Sequence, residues 1–166
     1  MNERTQSLYV VFVCTGNICR SPMADVMFSA AIEDASLSND VLVKSCGIGG
    51  WHIGDPADRR AVASLAAAGH DGSNHRAAQF GPEHADATLF VAMAEGHVRE
   101  LQALGVDRHK IRLLRSFDPD SPAGAIVADP YYGDDARFDR TRAEIAASIP
   151  GLITWVREHL ASSSER

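Results

Sequence analysis

The chain has 166 residues, 45% hydrophobic and 23% charged, with 16 basic against 22 acidic side chains and a net charge of -6. That length suits one domain able to bury about 68–70% of its unfolded surface, and the composition excludes a disordered tail or a disulfide-stapled scaffold. The acidic balance argues against a nucleic-acid partner, and no apolar run approaches the roughly 20 residues of a membrane helix.

Met1–Ser7 is polar and lacks the apolar core of a secretory signal. Three cysteines, an odd number, point to a reducing compartment in which a thiol is buried or catalytic. A cytoplasmic location is expected, with export by a route without a signal peptide left open.

Leu8 to Val13 is a β-branched and aromatic run, the pattern of a buried strand. A turn-prone stretch, Cys14-Thr15-Gly16-Asn17, follows. Apolar residues at Met23, Val26, Met27, Ala30 and Ala31 then predict a helix, with Ser21 as its N-cap and Pro22 at its first position. Val41 to Ser45 reads as a second strand and Cys46 to Pro56 as a Gly-rich loop. A helix over 57–68 is closed by Gly69, a third strand spans Ala87 to Ala92, and a helix over 96–104 is closed by Gly105. Ile111 to Leu114 reads as a fourth strand. A polar loop with Asp118-Pro119, Ser121-Pro122 and Asp129-Pro130 leads to a last helical stripe, Ile145, Ile149, Leu152, Ile153, Val156 and Leu160. Pro150-Gly151 predicts a kink or restart there. The Ser-rich tail after about residue 160 reads as disordered. Alternating strands and helices imply a single α/β domain spanning 1–166, with a parallel sheet and helices on both faces.

The stretch richest in chemistry is Cys14-Thr15-Gly16-Asn17-Ile18-Cys19-Arg20-Ser21, a C-x5-R-S loop between strand and helix. A loop of this length ending at a helix N-terminus can turn several N–H groups toward one anion, aided by the helix dipole. Gly16 and Asn17 tolerate the left-handed backbone that such a cradle needs. Arg20 can grip two phosphate oxygens with its planar fork. The same field favours a thiolate at Cys14, and a hydroxyl from Ser21 adds to it. A thiolate beneath a bound phosphate ester is an in-line nucleophile, and the product is a phosphocysteine. The bland alternative is a core cysteine at a strand end with a surface arginine. The strand, glycine, capped helix and arginine spacing together favour the catalytic reading.

A phenolate leaving group needs a proton donor. Asp129, in Asp129-Pro130-Tyr131-Tyr132, suits that role and the later activation of water. Asp-Pro is also ordinary turn chemistry, and Asp55-Pro56 and Asp118-Pro119 repeat it. The adjacent tyrosines distinguish this copy as an aromatic pocket wall, with Trp51 a further wall candidate.

The segment from Val13 to Ala24 closely resembles the signature of low-molecular-weight protein tyrosine phosphatases. Further matches are Gly47, Trp51-His52-Ile53-Gly54, His75-Arg76-Ala77-Ala78-Gln79 and Asp129-Pro130-Tyr131-Tyr132-Gly133, running from about Val10 to about Leu160. Leu114-Arg115-Ser116-Phe117-Asp118-Pro119 is similar to the actinobacterial branch of that family. The resemblance implies a four-stranded parallel sheet, Cys14 as nucleophile, Arg20 as phosphate ligand and Asp129 as general acid, with no metal or organic cofactor. It implies that Asn17 and Ser21 shape the loop and that His75 hydrogen-bonds toward the loop asparagine. It places Thr15, Ile18, Trp51, Tyr131 and Tyr132 at the pocket wall, and lets Cys19 pair with Cys14 under oxidation. Phosphotyrosine proteins are the expected partners, with a tyrosine kinase acting on Tyr131 or Tyr132 as a further one. Two departures stand out. Ser45-Cys46-Gly47-Ile48 replaces a usual Ser-Ala-Gly-Thr, and Met93-Ala94-Glu95 lacks an aspartate often found there. Cys46 reads as a buried packing residue. Two rivals remain: an arsenate reductase of the same fold, disfavoured because no cysteine follows Cys46, and a phosphotyrosine-binding module without catalysis.

Overall fold

The structure is a computed structural model that describes residues 5–164. Residues 1–4 and 165–166, part of the polar start and of the Ser-rich tail, lie outside the described residues. Four parallel strands, β1 (Leu8–Cys14), β2 (Val41–Gly47), β3 (Leu89–Ala92) and β4 (Ile111–Leu113), form one sheet in the order β2-β1-β3-β4. Four α-helices alternate with them: α1 (Arg20–Asp34), α2 (Arg59–Ala67), α3 (Glu95–Ala103) and α4 (Asp135–Ser164).

Every residue of β1 is buried, as a central parallel strand covered on both faces requires. Its alternate residues feed two cores. Leu8, Val10, Phe12 and Cys14 pack with Met23, Phe28, Leu65, Phe138, Ile145 and Leu152 from α1, α2 and α4. Tyr9, Val11 and Val13 face the opposite side, with Val98 and Leu101 of α3. Phe12 and Phe28 meet edge to face at 5.6 Å, one reason α1 lies flat against β1. The chain reverses direction across the sheet between β2 and β3, both neighbours of β1. In an open parallel sheet that switch point, at the carboxyl ends of the strands, is where ligands bind. Cys14 is the last residue of β1.

Four expectations need revision. The first helix starts at Arg20, with Cys19 as its cap and no side-chain capping bond. The Ser21 hydroxyl is therefore not a cap; it is turned toward the loop. Cys46 and Gly47 belong to β2, where Gly47 sits in register with Cys14. Leu114 opens a 3₁₀ turn, Leu114–Phe117, and is not the end of β4. The last helix neither stops nor restarts at Pro150, which lies inside α4. Gly151 explains the tolerance: a Cβ there would come within 1.9 Å of the Phe117 carbonyl oxygen, so the helix is seated on the 3₁₀ turn at this point. Helix α4 continues to Ser164.

Candidate active site

Cys14 and Arg20 are brought together by the short connection from β1 to α1. Asn17 sits at φ 58°, the left-handed conformation that turns this loop inward. Its side chain holds the turn from behind: Nδ2 donates to Ser21 Oγ (2.8 Å) and to Ser45 Oγ (3.0 Å), while Oδ1 accepts from the Ala78 N–H (2.9 Å). His75 Nε2 donates to the Asn17 carbonyl at 2.7 Å, and burial pushes this imidazole down from its ordinary pKa, against the pull of that carbonyl. Asn17 and Ser21 are fully buried, so they brace the loop and do not line its opening.

The direction of this network matters for Cys14. Ser21 Oγ accepts from Asn17, so its own proton is free for the Cys14 sulfur, 2.9 Å away; the Cys46 carbonyl is more distant at 3.4 Å. The Ser21 N–H lies 3.4 Å from the same sulfur. Both are placed to donate to the sulfur. At the far end of the chain of bonds, Ser45 and Ser29 hydroxyls bond the Asp25 carboxyl, whose pKa burial nonetheless raises to about 6.

Around the sulfur, the backbone N–H groups of Thr15 to Arg20 donate to no protein acceptor among the described residues. Arg20 is 5% exposed; Nη1 donates to the Val127 carbonyl (3.0 Å), Nη2 reaches Thr15 Oγ1 (3.4 Å), and buried Nε has no partner among the described residues. Unpaired buried donors are costly unless a ligand satisfies them. This set has the number and sign to hold a tetrahedral oxyanion.

Asp129 arrives from the loop before α4. Its Oδ2 is 3.6 Å from Arg20 Nη2 and its Oδ1 accepts from the Tyr131 N–H at 3.1 Å. A pocket of about 280 Å³ opens over the sulfur, lined by Thr15, Ile18, Trp51, His52, Asp129 and Tyr131, with Gly16, Cys19, Arg20 and Tyr132 completing it. The aromatic rim is open: Trp51 is 75% and Tyr132 93% exposed. All three cysteines are free thiols, and burial, then Asp58, push the Cys19 thiol well above the usual range. Cys46 is fully buried on the α3 side of the sheet.

Four contributors were given no role in the sequence reading. His52, its Nδ1 held by Asp55 at 3.2 Å, forms a wall beside Gly16. Asp58 and Arg60 form a strut: the Asp58 N–H donates to the Ile18 carbonyl (2.7 Å), its carboxylate grips Arg60 Nε and Nη2, and Arg60 Nη1 donates to the Gly133 carbonyl (2.8 Å). The guanidinium also lies over Tyr131 and Phe138, so one side chain ties the Cys14 loop to the loop carrying Asp129. His97, beneath Thr15, is the fourth. Only the D-x-R spacing at the start of α2 could have hinted at the strut; nothing local marks His97.

The comparisons agree with this geometry. A family model described as low molecular weight phosphotyrosine protein phosphatase matches residues 9–162. A Mycobacterium tuberculosis protein named low molecular weight protein-tyrosine phosphatase A is 50% identical over 93% of this chain and 94% of its own. Among solved structures, the low molecular weight protein tyrosine phosphatase of T. tengcongensis is 36% identical, with a TM-score of 0.78 over 89% of this chain and 99% of that one. YwlE of Bacillus subtilis, solved as an arginine phosphatase, is 28% identical with a TM-score of 0.79 over 90% and 96%. With the C-x5-R-S loop, the sheet that carries it and a match over nearly its whole length, this chain belongs to the low molecular weight phosphotyrosine protein phosphatase family, on its actinobacterial branch.

Proposed function

We propose that this protein removes phosphate from phosphotyrosine side chains of other proteins. The observation that carries the reading is the ring of unpaired amides from Thr15 to Arg20, with the free Nε of Arg20, set around the Cys14 sulfur beneath an aromatic rim. The phosphate dianion binds these donors while the phenyl ring stands between Trp51, Tyr131 and Tyr132. The Cys14 thiolate attacks phosphorus, the P–O bond to the ring breaks, and Asp129 gives its proton to the departing phenolate oxygen. Asp129, now a carboxylate, takes a proton from water; that water attacks the phosphocysteine, releasing inorganic phosphate and the thiolate. The Ser21 hydroxyl stabilises the thiolate as attacking group and again as leaving group.

Supporting an active enzyme over a binding module, nucleophile, cation and acid are all present and share one pocket. Arsenate reduction by enzymes of this fold would need a downstream pair of relay thiols, and no cysteine follows Cys46, which is itself sealed in the core. Exposed Tyr132 and the partly exposed Tyr131 suit modification by a kinase, and we place the protein in the cytoplasm. No helix among the described residues is long and apolar enough to cross a membrane.

Initial rates on p-nitrophenyl phosphate, phosphotyrosine, phosphoserine, phosphoarginine and arsenate test the proposal. Expected are hydrolysis of the two aryl esters, loss in Cys14→Ser, and a slowed Asp129→Asn that still binds phosphate. Preference for phosphoarginine, or thiol-coupled reduction of arsenate, would overturn it.

A further inference from the structure

The first residue after the nucleophile is tied to a histidine 82 positions away, and the reaction scheme above leaves this pair unused. Thr15 is exposed at the pocket mouth. His97, in the first turn of α3, is 5% exposed beneath it. The imidazole's two nitrogens have distinct partners. Nδ1 faces the Ala94 N–H at 3.1 Å and can only accept from it. The ring proton of a neutral imidazole is therefore on Nε2, which lies 3.0 Å from Thr15 Oγ1 and donates to it. Arg20 Nη2 donates to the same oxygen at 3.4 Å.

A threonine hydroxyl has two lone pairs and one proton. Here one neutral and one cationic donor occupy the lone pairs. The hydroxyl is thus committed to donate, and the ligand pocket is the side it opens on. The charged groups acting on His97 are Arg20 and Asp129; burial and then Arg20 push its pKa down to about 4, so the ring stays neutral at ordinary assay pH. A second proton on Nδ1 would oppose the Ala94 N–H and undo the arrangement.

We propose that His97 is a positioning residue that fixes the Thr15 hydroxyl as an added hydrogen-bond donor to a phosphoryl oxygen, beside the loop amides and Arg20. The inference rests on the phosphatase reading and deepens it. With Ala94 at the helix cap, His97 both accepts the Ala94 N–H and reaches the loop.

Two variants separate these tasks. An asparagine amide reaches the place of Nδ1, so His97→Asn keeps an acceptor for Ala94 and loses the donor to Thr15. A glutamine amide reaches the place of Nε2, so His97→Gln does the reverse. Steady-state kinetics on p-nitrophenyl phosphate, inhibition by inorganic phosphate and thermal midpoints are measured for both, for Thr15→Val, and for Thr15→Val with His97→Asn. A hydrogen bond to a charged oxygen predicts about a tenfold loss of kcat/KM and of phosphate affinity in Thr15→Val and in His97→Asn. The double variant loses no more than either single one, since both remove the same donor. His97→Gln keeps phosphate affinity within about threefold of wild type while melting lower than His97→Asn. Wild-type kinetics in His97→Asn, multiplicative losses in the double variant, or equal kinetic losses in both His97 variants would overturn the assignment. Calorimetric phosphate binding by Cys14→Ser, with and without His97→Asn, reads the same donor without turnover. A wild type inactive on aryl phosphates whose phosphate binding still weakens with His97→Asn would defeat the phosphatase reading and keep this one.

Discussion

Replacing Gly47 with alanine puts the coupling between β2 and the nucleophile loop under direct strain. A Cβ at this position would lie 2.8 Å from the Thr15 carbonyl oxygen and 3.0 Å from the Asn17 nitrogen and Gly16 carbon. All three are backbone atoms of the cradle, so no flexible side chain can absorb the clash. Gly47 cannot retreat: its N–H donates to the Ala78 carbonyl (2.8 Å), its carbonyl accepts from Phe80 (2.8 Å), and it is paired with Cys14. Reaching ordinary contact at 3.4 Å therefore moves the loop by about 0.6 Å. Overpacking of this kind costs about 1–3 kcal/mol, offset by about 0.4–1 kcal/mol from the stiffer unfolded chain. The expected net loss is about 1–2 kcal/mol in urea denaturation. Activity falls further than stability, because displacing catalytic groups by up to an ångström costs on the order of a hundredfold in rate. Gly96→Ala is the control: nothing lies within 4 Å of its Cβ and it sits inside α3, so it should stabilise by about 0.5–1 kcal/mol with kcat/KM unchanged. If Gly47→Ala matches wild type in both stability and kcat/KM, the claim that β2 sets the cradle's shape is wrong.

Two titratable groups, one half-buried and one buried, give opposing pH slopes. Asp25, raised from 3.8 to about 6, contributes stability that is full below pH 3.8 and lost as pH rises through 6, about 3 kcal/mol at most. Asp25→Asn should thus gain on wild type as pH goes from 4 to 7, and a constant difference in thermal denaturation would contradict the burial argument. His97, lowered from 6.5 to about 4, contributes stability present above pH 6.5 and lost as pH falls toward 4, again about 3 kcal/mol at most. His97→Asn should flatten that acid limb; an unchanged limb would mean the ring is not buried as described. Arg60→Lys loses the paired grip on Asp58 and the bond to Gly133 that steady the Asp129 loop. Since a general acid contributes about 10²–10⁴-fold, a partial loss of its position should cut kcat/KM about tenfold on phenyl phosphate and less on p-nitrophenyl phosphate, whose leaving group needs the proton less. Equal losses on both esters would show that the strut serves binding alone.

What could be read from the sequence was whatever the chain encodes locally. Leu8–Val13 shows its burial by being apolar without alternation, and Gly69 and Gly105 mark helix ends because both take positive φ. The C-x5-R-S loop is contiguous, so its chemistry is visible before any fold is known. Ser21 misled because a serine before proline is also a good cap, and only the position of Asn17 shows that its hydroxyl is needed at the sulfur. Pro150 misled because the support that lets α4 continue comes from Phe117, a contact made across 34 residues. His97 and Val127 each reach the Cys14 loop through a single long-range hydrogen bond, which leaves no periodicity and no spacing to detect.

The central claim is that phosphate passes through the Cys14 sulfur. Acid-quenching the enzyme milliseconds after mixing with p-nitrophenyl phosphate, then mapping its peptides by mass spectrometry, tests this directly. The account predicts a phosphoryl group on the peptide holding Cys14, absent from Cys14→Ser, and a burst of p-nitrophenol equal to the enzyme when hydrolysis of the intermediate is slower than its formation. Turnover at the wild-type rate by Cys14→Ser, with no phosphorylated peptide in either protein, would contradict it.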